Sequence, residues 1–158
     1  MSSLADEVSE LLLQKSLMLA TAESCTGGLI AKIITDRAGS SSLFDCGFVT
    51  YSNDSKIAML GIDPAIINDH GAVSAAVATA MAEGALRHSR ANVTLSCTGI
   101  AGPSGGTKEK PVGLVYLALA SHNSKTTVKK HNFSGTREEI RQKTAHEALI
   151  MLRDYLLS

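Results

Sequence analysis

An apolar run, Leu17-Met18-Leu19-Ala20-Thr21-Ala22, breaks at Glu23-Ser24-Cys25-Thr26-Gly27-Gly28 and is followed by apolar residues at helical spacing, Leu29-Ile30 and Ile33-Ile34. The first run reads as a buried strand and the last as a helix, so the residues between them form a strand-to-helix turn. Such a turn can expose a nucleophile while the first free N–H groups of the helix face an incoming oxyanion. The turn holds a hydroxyl, a thiol and a glycine pair, and an active site is expected there.

The remaining chain alternates strand-like and helical segments without a linker or repeat. Phe44 to Tyr51 reads as a second strand, with Gly47 marking a bulge or a close approach, and short helices follow. Ser74 is a good N-cap for the alanine-rich helix Ala75 to His88, and Asn92 to Cys97 supplies a third strand. Val112 to Ala120 and Thr126 to Phe133 read as antiparallel strands joined around His122-Asn123-Ser124. Thr136 and Glu139 form a capping box that opens a last helix, whose stripe Ala145, Ala148, Leu149, Leu152 and Leu156 faces the sheet. The sum is an α/β fold, a mixed, mostly parallel sheet of about five strands with helices on both faces.

With 158 residues and 44% hydrophobic composition, the chain fits one domain, residues 1–158, with a real core. Fifteen basic and fifteen acidic residues cancel, which argues against a nucleic-acid or membrane surface, so any attraction for a charged ligand is local. Asp6 and Glu7 stand where a targeting segment would carry basic residues, and no apolar stretch is long enough to span a bilayer. A cytoplasmic location is expected. Cys25, Cys46 and Cys97 lack metal-site spacing and read as reduced thiols.

Three loops that follow strands carry unusual chemistry: Glu23 to Gly28, Tyr51 to Lys56, and Thr98 to Gly106. If their strands are parallel neighbours, the loops share the carboxyl edge of the sheet, where open α/β sheets bind ligands. Lys56 falls in the first turn of a helix capped by Ser52 or Asn53. The helix dipole, with any burial, lowers its pKa and favours a neutral amine able to deprotonate a serine; the alternative is a solvated lysine beside a packed tyrosine. Tyr51 can stack on a planar ring or donate a hydrogen bond. The glycines of Thr98-Gly99-Ile100-Ala101-Gly102-Pro103-Ser104-Gly105-Gly106 let backbone N–H groups approach a phosphate or carboxamide, although a tight connection without a ligand fits as well. P-loop spacing is absent, which argues against ATP hydrolysis. Arg137 and Arg141 lie one turn apart at the N-terminal end of the last helix, where they oppose its dipole and repel each other. Either a ligand phosphate or pairing with nearby acids compensates them.

Five segments in order resemble the CinA C-terminal domain family: Ala22 to Gly28, Gly47-Phe48-Val49-Thr50-Tyr51-Ser52-Asn53, His70-Gly71-Ala72-Val73-Ser74, Thr98 to Pro103, and Lys110-Pro111-Val112-Gly113. The likeness covers nearly the whole chain and implies a three-layer α/β/α sandwich, in the stand-alone form that lacks the further N-terminal domain of many relatives. It also implies a nicotinamide-nucleotide amidase, which converts nicotinamide mononucleotide to nicotinate mononucleotide and ammonia without metal or cofactor, in a chain expected as a homo-oligomer such as a dimer. By motif, Ser24 resembles the nucleophile and Lys56 the base, with Tyr51, Thr98 and Arg141 as substrate contacts. Gly39-Ser40-Ser41-Ser42 resembles a further motif, whose serines bridge lysine to nucleophile or bind substrate.

The mechanism this implies has Lys56 deprotonate Ser24, directly or through Ser40 or Ser41, and Ser24 attack the carboxamide carbon. Backbone N–H groups near Thr26 and Gly27 hold the oxyanion. Arg141, with Arg137 beside it, and the loop carrying Thr98, Gly99 and Gly102 hold the phosphate. Cys25 is a rival nucleophile at the same turn, and Asp69-His70 offers a Ser-His-Asp alternative. A nucleotide-binding or regulatory module that keeps the pocket without turnover is the reading from another class.

Overall fold

The computed structural model describes residues 2–158. Its elements in chain order are α1 (Leu4–Gln14), β1 (Leu19–Glu23), α2 (Leu29–Thr35), a 3-10 turn (Ser40–Ser42), β2 (Phe44–Val49), α3 (Asn53–Leu60), α4 (Pro64–His70), α5 (Ala75–Arg87), β3 (Val93–Gly99), β4 (Leu114–Ser121), β5 (Ser124–Asn132) and α6 (Arg137–Leu157). The helix starts follow local capping chemistry. Ser52 and Ser55 close a capping box on α3, Thr136 and Glu139 close one on α6, and Ser74 accepts from the Val77 N–H to start α5. Helix α1 is the element not read from the sequence, although Leu4, Ala5, Val8, Leu11 and Leu12 form an apolar stripe behind the Ser3/Asp6 capping box.

The strands lie in the order β2-β1-β3-β4-β5. β1 pairs in parallel with β2 and β3, whereas β4 pairs antiparallel with β3 and with β5, so only β4 runs against the rest. On one face α1, α2 and α6 pack over Leu19, Val93, Leu95, Val115 and Leu117. On the other, α3, α4 and α5 cover Ala20, Ala22, Ala118 and Ala120. This is the three-layer α/β/α arrangement. Alanines on both sides let α5 sit close to the sheet, and two buried strand hydroxyls use that closeness: Ser96 donates to the Ala78 carbonyl at 2.6 Å and Thr94 to the Ala82 carbonyl at 2.7 Å. Satisfying them in this way avoids the penalty of burying a bare hydroxyl.

The two sheet edges differ. β5 shows Lys125, Lys129 and Lys130 to solvent, charges that discourage further strand pairing. No helix among the described residues is long and apolar enough to cross a membrane. Because β1 has parallel neighbours on both sides, the loops leaving β1, β2 and β3 emerge at one edge, where the chain reverses its order across the sheet.

Candidate active site

Ser24 is the first residue beyond β1. Its N–H donates to the Cys97 carbonyl at 3.1 Å, which ties it to the neighbouring strand, and Gly27 and Gly28 turn the chain through positive φ values of 62° and 104° into α2. Side chains rarely adopt these conformations, so the glycine pair is what permits the sharp turn. Lys56 reaches the same point from α3: its Nζ donates to Ser24 Oγ at 3.0 Å and to the Thr50 carbonyl at 2.7 Å. The lysine is only 1% exposed. Burial pushes its amine below the ordinary value, opposed in part by the Cys25 and Cys97 thiols in their ionised form. A buried amine without a carboxylate partner, hydrogen-bonded to a serine hydroxyl, has the arrangement of a base and its nucleophile.

The dyad lies at the floor of a cleft of about 280 Å³. One wall comes from Ala72 and Val73 ahead of α5, another from Gly99 to Ala101, Ser104 and Gly105 on the glycine loop. Tyr51 and Arg137 meet at the mouth. Arg137 donates from Nη2 to Tyr51 Oη at 2.7 Å and from Nη1 to the Gly102 carbonyl at 2.8 Å. The glycines on this loop have separate reasons. A Cβ on Gly99 would fall 2.6 Å from Val115 Cγ2, so the close approach of β4 requires its absence. Gly105 instead has a φ of 91° on the cleft side.

Thr98 lines the cleft while its hydroxyl donates to the Ala72 carbonyl at 2.8 Å, fastening the two loops together. Arg137 faces the cleft, but Arg141 does not line it. The Arg141 Nη2 donates to the Thr26 carbonyl at 2.9 Å, and a Cβ on Gly27 would lie 3.1 Å from that nitrogen. The structure therefore places Arg141 behind the nucleophile turn. Thr26 is fully buried and gives its hydroxyl proton to Glu23, so its side chain is turned away from the cleft. The Gly27 N–H is occupied by the Ser24 carbonyl at 3.1 Å, which removes it as an oxyanion donor.

The relay through Ser40 or Ser41 is corrected within a single chain. Ser40 is buried and donates to the Ile34 and Arg37 carbonyls, closing the end of α2. Ser41 lies on the exposed 3-10 turn that precedes β2, beside Thr35 and Arg37. The Thr50–Lys56 segment leaves the other end of β2, about 17 Å away at about 3.3 Å per residue. Lys56 needs no intermediary, since it contacts Ser24 directly.

The rival nucleophiles also find their places. Cys25 lines the cleft, but a hydrogen bond to Cys97 and then burial hold its thiol well above 9.0. It is therefore a protonated neighbour of Ser24 at neutral pH. His70 ends α4, is exposed and lies outside the cleft, its carbonyl accepting from Lys110 Nζ at 2.8 Å. Among the described residues no cluster of three or more His, Cys, Asp or Glu side chains is placed to hold a metal ion. Sequence reasoning missed Asn53, Ala72 and Val73 as lining residues. The His70 to Ser74 motif contained the signal for Ala72 and Val73, but no chemistry marked them.

A larger cavity of about 570 Å³ lies between α1, α2 and α6, bordered by Leu4, Ile33, Arg37 and His146. It holds none of the candidate catalytic or binding residues. The chemistry is concentrated in the smaller cleft.

Fold and site together define an α/β protein with a buried serine–lysine pair at the carboxyl edge of a mixed sheet. The chain belongs to the CinA C-terminal domain family, whose pattern matches residues 1–156. It is 54% identical to a CinA-like protein of Geobacter sp. (strain M21) over 97% of its own length and 37% of that protein's, and 50% identical to a putative competence-damage inducible protein of Clostridioides difficile (strain 630) over 96% and 36%. The chain thus spans little more than a third of these relatives. Among solved structures it resembles the competence/damage inducible protein CihA of Agrobacterium tumefaciens, with a TM-score of 0.91, 46% identity and full coverage of both chains. The competence damage-inducible protein A of Klebsiella pneumoniae matches with a TM-score of 0.93 and 33% identity, covering 98% of this chain and 95% of that one.

Proposed function

We propose that this chain is an amidohydrolase that cleaves the carboxamide of nicotinamide mononucleotide through a Ser24–Lys56 dyad. The observation that carries the reading is the 3.0 Å contact between Lys56 Nζ and Ser24 Oγ, made by an amine whose burial favours its neutral form. A neutral Lys56 takes the proton of Ser24 as Oγ attacks the carboxamide carbon. The protonated lysine then returns that proton to the leaving nitrogen, and ammonia departs as the acyl-serine forms. Water resolves the acyl-enzyme with Lys56 again as base, releasing nicotinate mononucleotide and restoring Ser24. With the Gly27 N–H engaged, the N–H groups of Cys25, Thr26 and Gly28 have no acceptor within the chain and remain on the turn for the oxyanion.

Arg137 suits the phosphate better than Arg141, because it lines the cleft together with Ser104 and Gly105, whose backbone amides have no acceptor within the chain. Those amides and a guanidinium make a concave, positively biased seat for an anion. Tyr51, which accepts from Arg137, gives up that hydrogen bond or shares it when phosphate arrives. Binding the phosphate away from the reacting carbon also orients the carboxamide, so this contact supports kcat as well as KM.

The test is release of ammonia from nicotinamide mononucleotide by purified protein, with Ser24→Ala as the control. Release that Ser24→Ala abolishes supports the reading. Nucleotide binding with no release above the control would refute it and favour a non-catalytic module.

A further inference from the structure

Glu23 is fully buried, yet no lysine or arginine side chain meets its carboxylate. Three neutral donors satisfy it instead: Thr26 Oγ1 at 2.6 Å and the Ile30 N–H at 2.8 Å on one oxygen, and the Ala31 N–H at 3.0 Å on the other. Ile30 and Ala31 are the second and third residues of α2, whose own N-cap, Gly28, has no side chain to offer. The carboxylate at the end of β1 thus performs the capping that Ser, Thr or Asp at the N-cap would perform elsewhere. Its two ends are joined around Ser24, because the residue that supplies the cap immediately precedes the nucleophile.

The backbone of Glu23 fixes the base as well. Its carbonyl accepts from the Thr50 N–H at 2.9 Å, and the Thr50 carbonyl accepts from Lys56 Nζ at 2.7 Å. Behind the turn, Thr26 Oγ1 also lies 3.0 Å from Cys97 Sγ, while Arg141 holds the Thr26 carbonyl. The single Thr26 hydroxyl proton goes to the carboxylate at the shorter distance, leaving Cys97 as donor to Thr26. Resting on the Ser24–Lys56 reading, we infer that Glu23 is a positioning residue: its carboxylate caps α2 and anchors Thr26, and thereby holds Ser24 Oγ within reach of Lys56. It touches neither substrate nor the reacting atoms. A buried charge bound only by neutral groups is expensive to keep, and a turn that must hold a hydroxyl at hydrogen-bond distance from a buried amine is where that expense has a return.

The test uses phenylmethanesulfonyl fluoride, which reports the dyad independently of any nucleotide. Ser24 Oγ forms a bond to sulfur, the S–F bond breaks, fluoride leaves, and Lys56 takes the hydroxyl proton. The labelling rate of Ser24, followed by intact mass across pH, is compared for wild type, Glu23→Gln and Thr26→Val. Glu23→Gln keeps the shape but turns an NH2 toward a backbone N–H, and Thr26→Val removes the hydroxyl link.

The expected result is labelling at least about 10-fold slower at the high-pH plateau for both variants, while thermal melting still shows a folded protein. Thr26→Ser, which keeps the hydroxyl link, is expected to label at about the wild-type rate. The Cys25 and Cys97 thiols and the Arg141 guanidinium, the other ionisable groups around this turn, are unchanged in both variants. A role confined to stability would reduce the folded fraction and leave the labelling rate per folded chain where it was. A wild-type rate per folded chain in Glu23→Gln overturns the inference; if that variant does not fold, a wild-type rate in Thr26→Val overturns it. Wild-type labelling at Ser24 without ammonia release from the nucleotide would defeat the proposed substrate and leave the role of Glu23 standing.

Discussion

Replacing Lys56 with methionine, similar in length and uncharged, separates what the amine does in catalysis from what its burial does to stability. Burial holds the folded amine below its ordinary 10.5, to which it returns in the unfolded chain. Between those two values the unfolded chain binds the extra proton, so stability rises with pH through the window by up to about 1.4 kcal/mol per pH unit. Below the folded value both states are protonated, and the contribution is flat at its minimum. Two of the three thiols act in the opposite sense, while Cys97, lowered by its hydrogen bond with Cys25, acts in the same sense as the lysine. Cys25, through its bond to Cys97, and Cys46, through burial, are held above 9.0, so the unfolded chain ionises first and stability falls as pH rises past that point. Both proteins carry those thiols, so Cys46 cancels in the difference between wild type and Lys56→Met, which reads the lysine together with its coupling to Cys25 and Cys97. The variant also leaves the Thr50 carbonyl without its side-chain donor, an offset of about 1–3 kcal/mol that does not vary with pH. Urea unfolding followed by circular dichroism at intervals from about pH 7 to about pH 10 gives the comparison. Wild-type stability minus variant stability is expected to climb with pH. Parallel curves would refute the claim that burial lowers the pKa of the amine. The same substitution is expected to lower the rate of ammonia release by about 10²–10⁴-fold, the range for losing a general base.

Arg137→Ala is expected to lower kcat/KM by about 10–100-fold, the value of one charge-assisted contact, with a smaller loss on a substrate that lacks the phosphate; equal losses on both would remove the phosphate from this arginine. Ser40→Ala is expected to cost about 1–3 kcal/mol in urea unfolding, because the Ile34 and Arg37 carbonyls lose their donor, while kcat/KM per folded chain stays within about twofold. Cys25→Ala is expected to keep most of the activity that Ser24→Ala abolishes, measured by ammonia release; the reverse pattern would make the thiol the nucleophile. Leu152→Ala, on the buried face of α6, is expected to cost about 2–5 kcal/mol by thermal or urea unfolding without altering the pH profile of activity.

The five strands and the helices after β1 were legible because apolar periodicity, caps and glycines all pointed the same way, as at Ser74 with α5 and Thr136 with α6. Helix α1 was equally legible, in the Ser3/Asp6 capping box and the stripe Leu4, Ala5, Val8, Leu11 and Leu12, and was passed over. In the site, Ser24 and Lys56 could be paired from the sequence because each stood in a loop after a strand, and parallel neighbours bring such loops together. Arg137 and Arg141 could not be told apart: both lie one turn apart on α6, and only the packing of α6 against the turn sends one guanidinium to the Thr26 carbonyl and the other to the cleft. Ser40 and Ser41 were misplaced because a motif gives residue types without the sheet edge to which they belong. Glu23 was passed over for a related reason. A carboxylate in a strand gives no hint that its partners are the amides of a helix starting several residues later.

The central claim is that Ser24 carries the acyl group while Lys56 moves its proton. Rapid acid quenching during turnover of nicotinamide mononucleotide, followed by peptide mass analysis, reads this directly. The account predicts a transient adduct on the peptide containing Ser24, assigned to that residue by fragmentation, absent in Ser24→Ala and much reduced in Lys56→Met. An adduct on Cys25, or ammonia release that persists undiminished in Ser24→Ala, would contradict it.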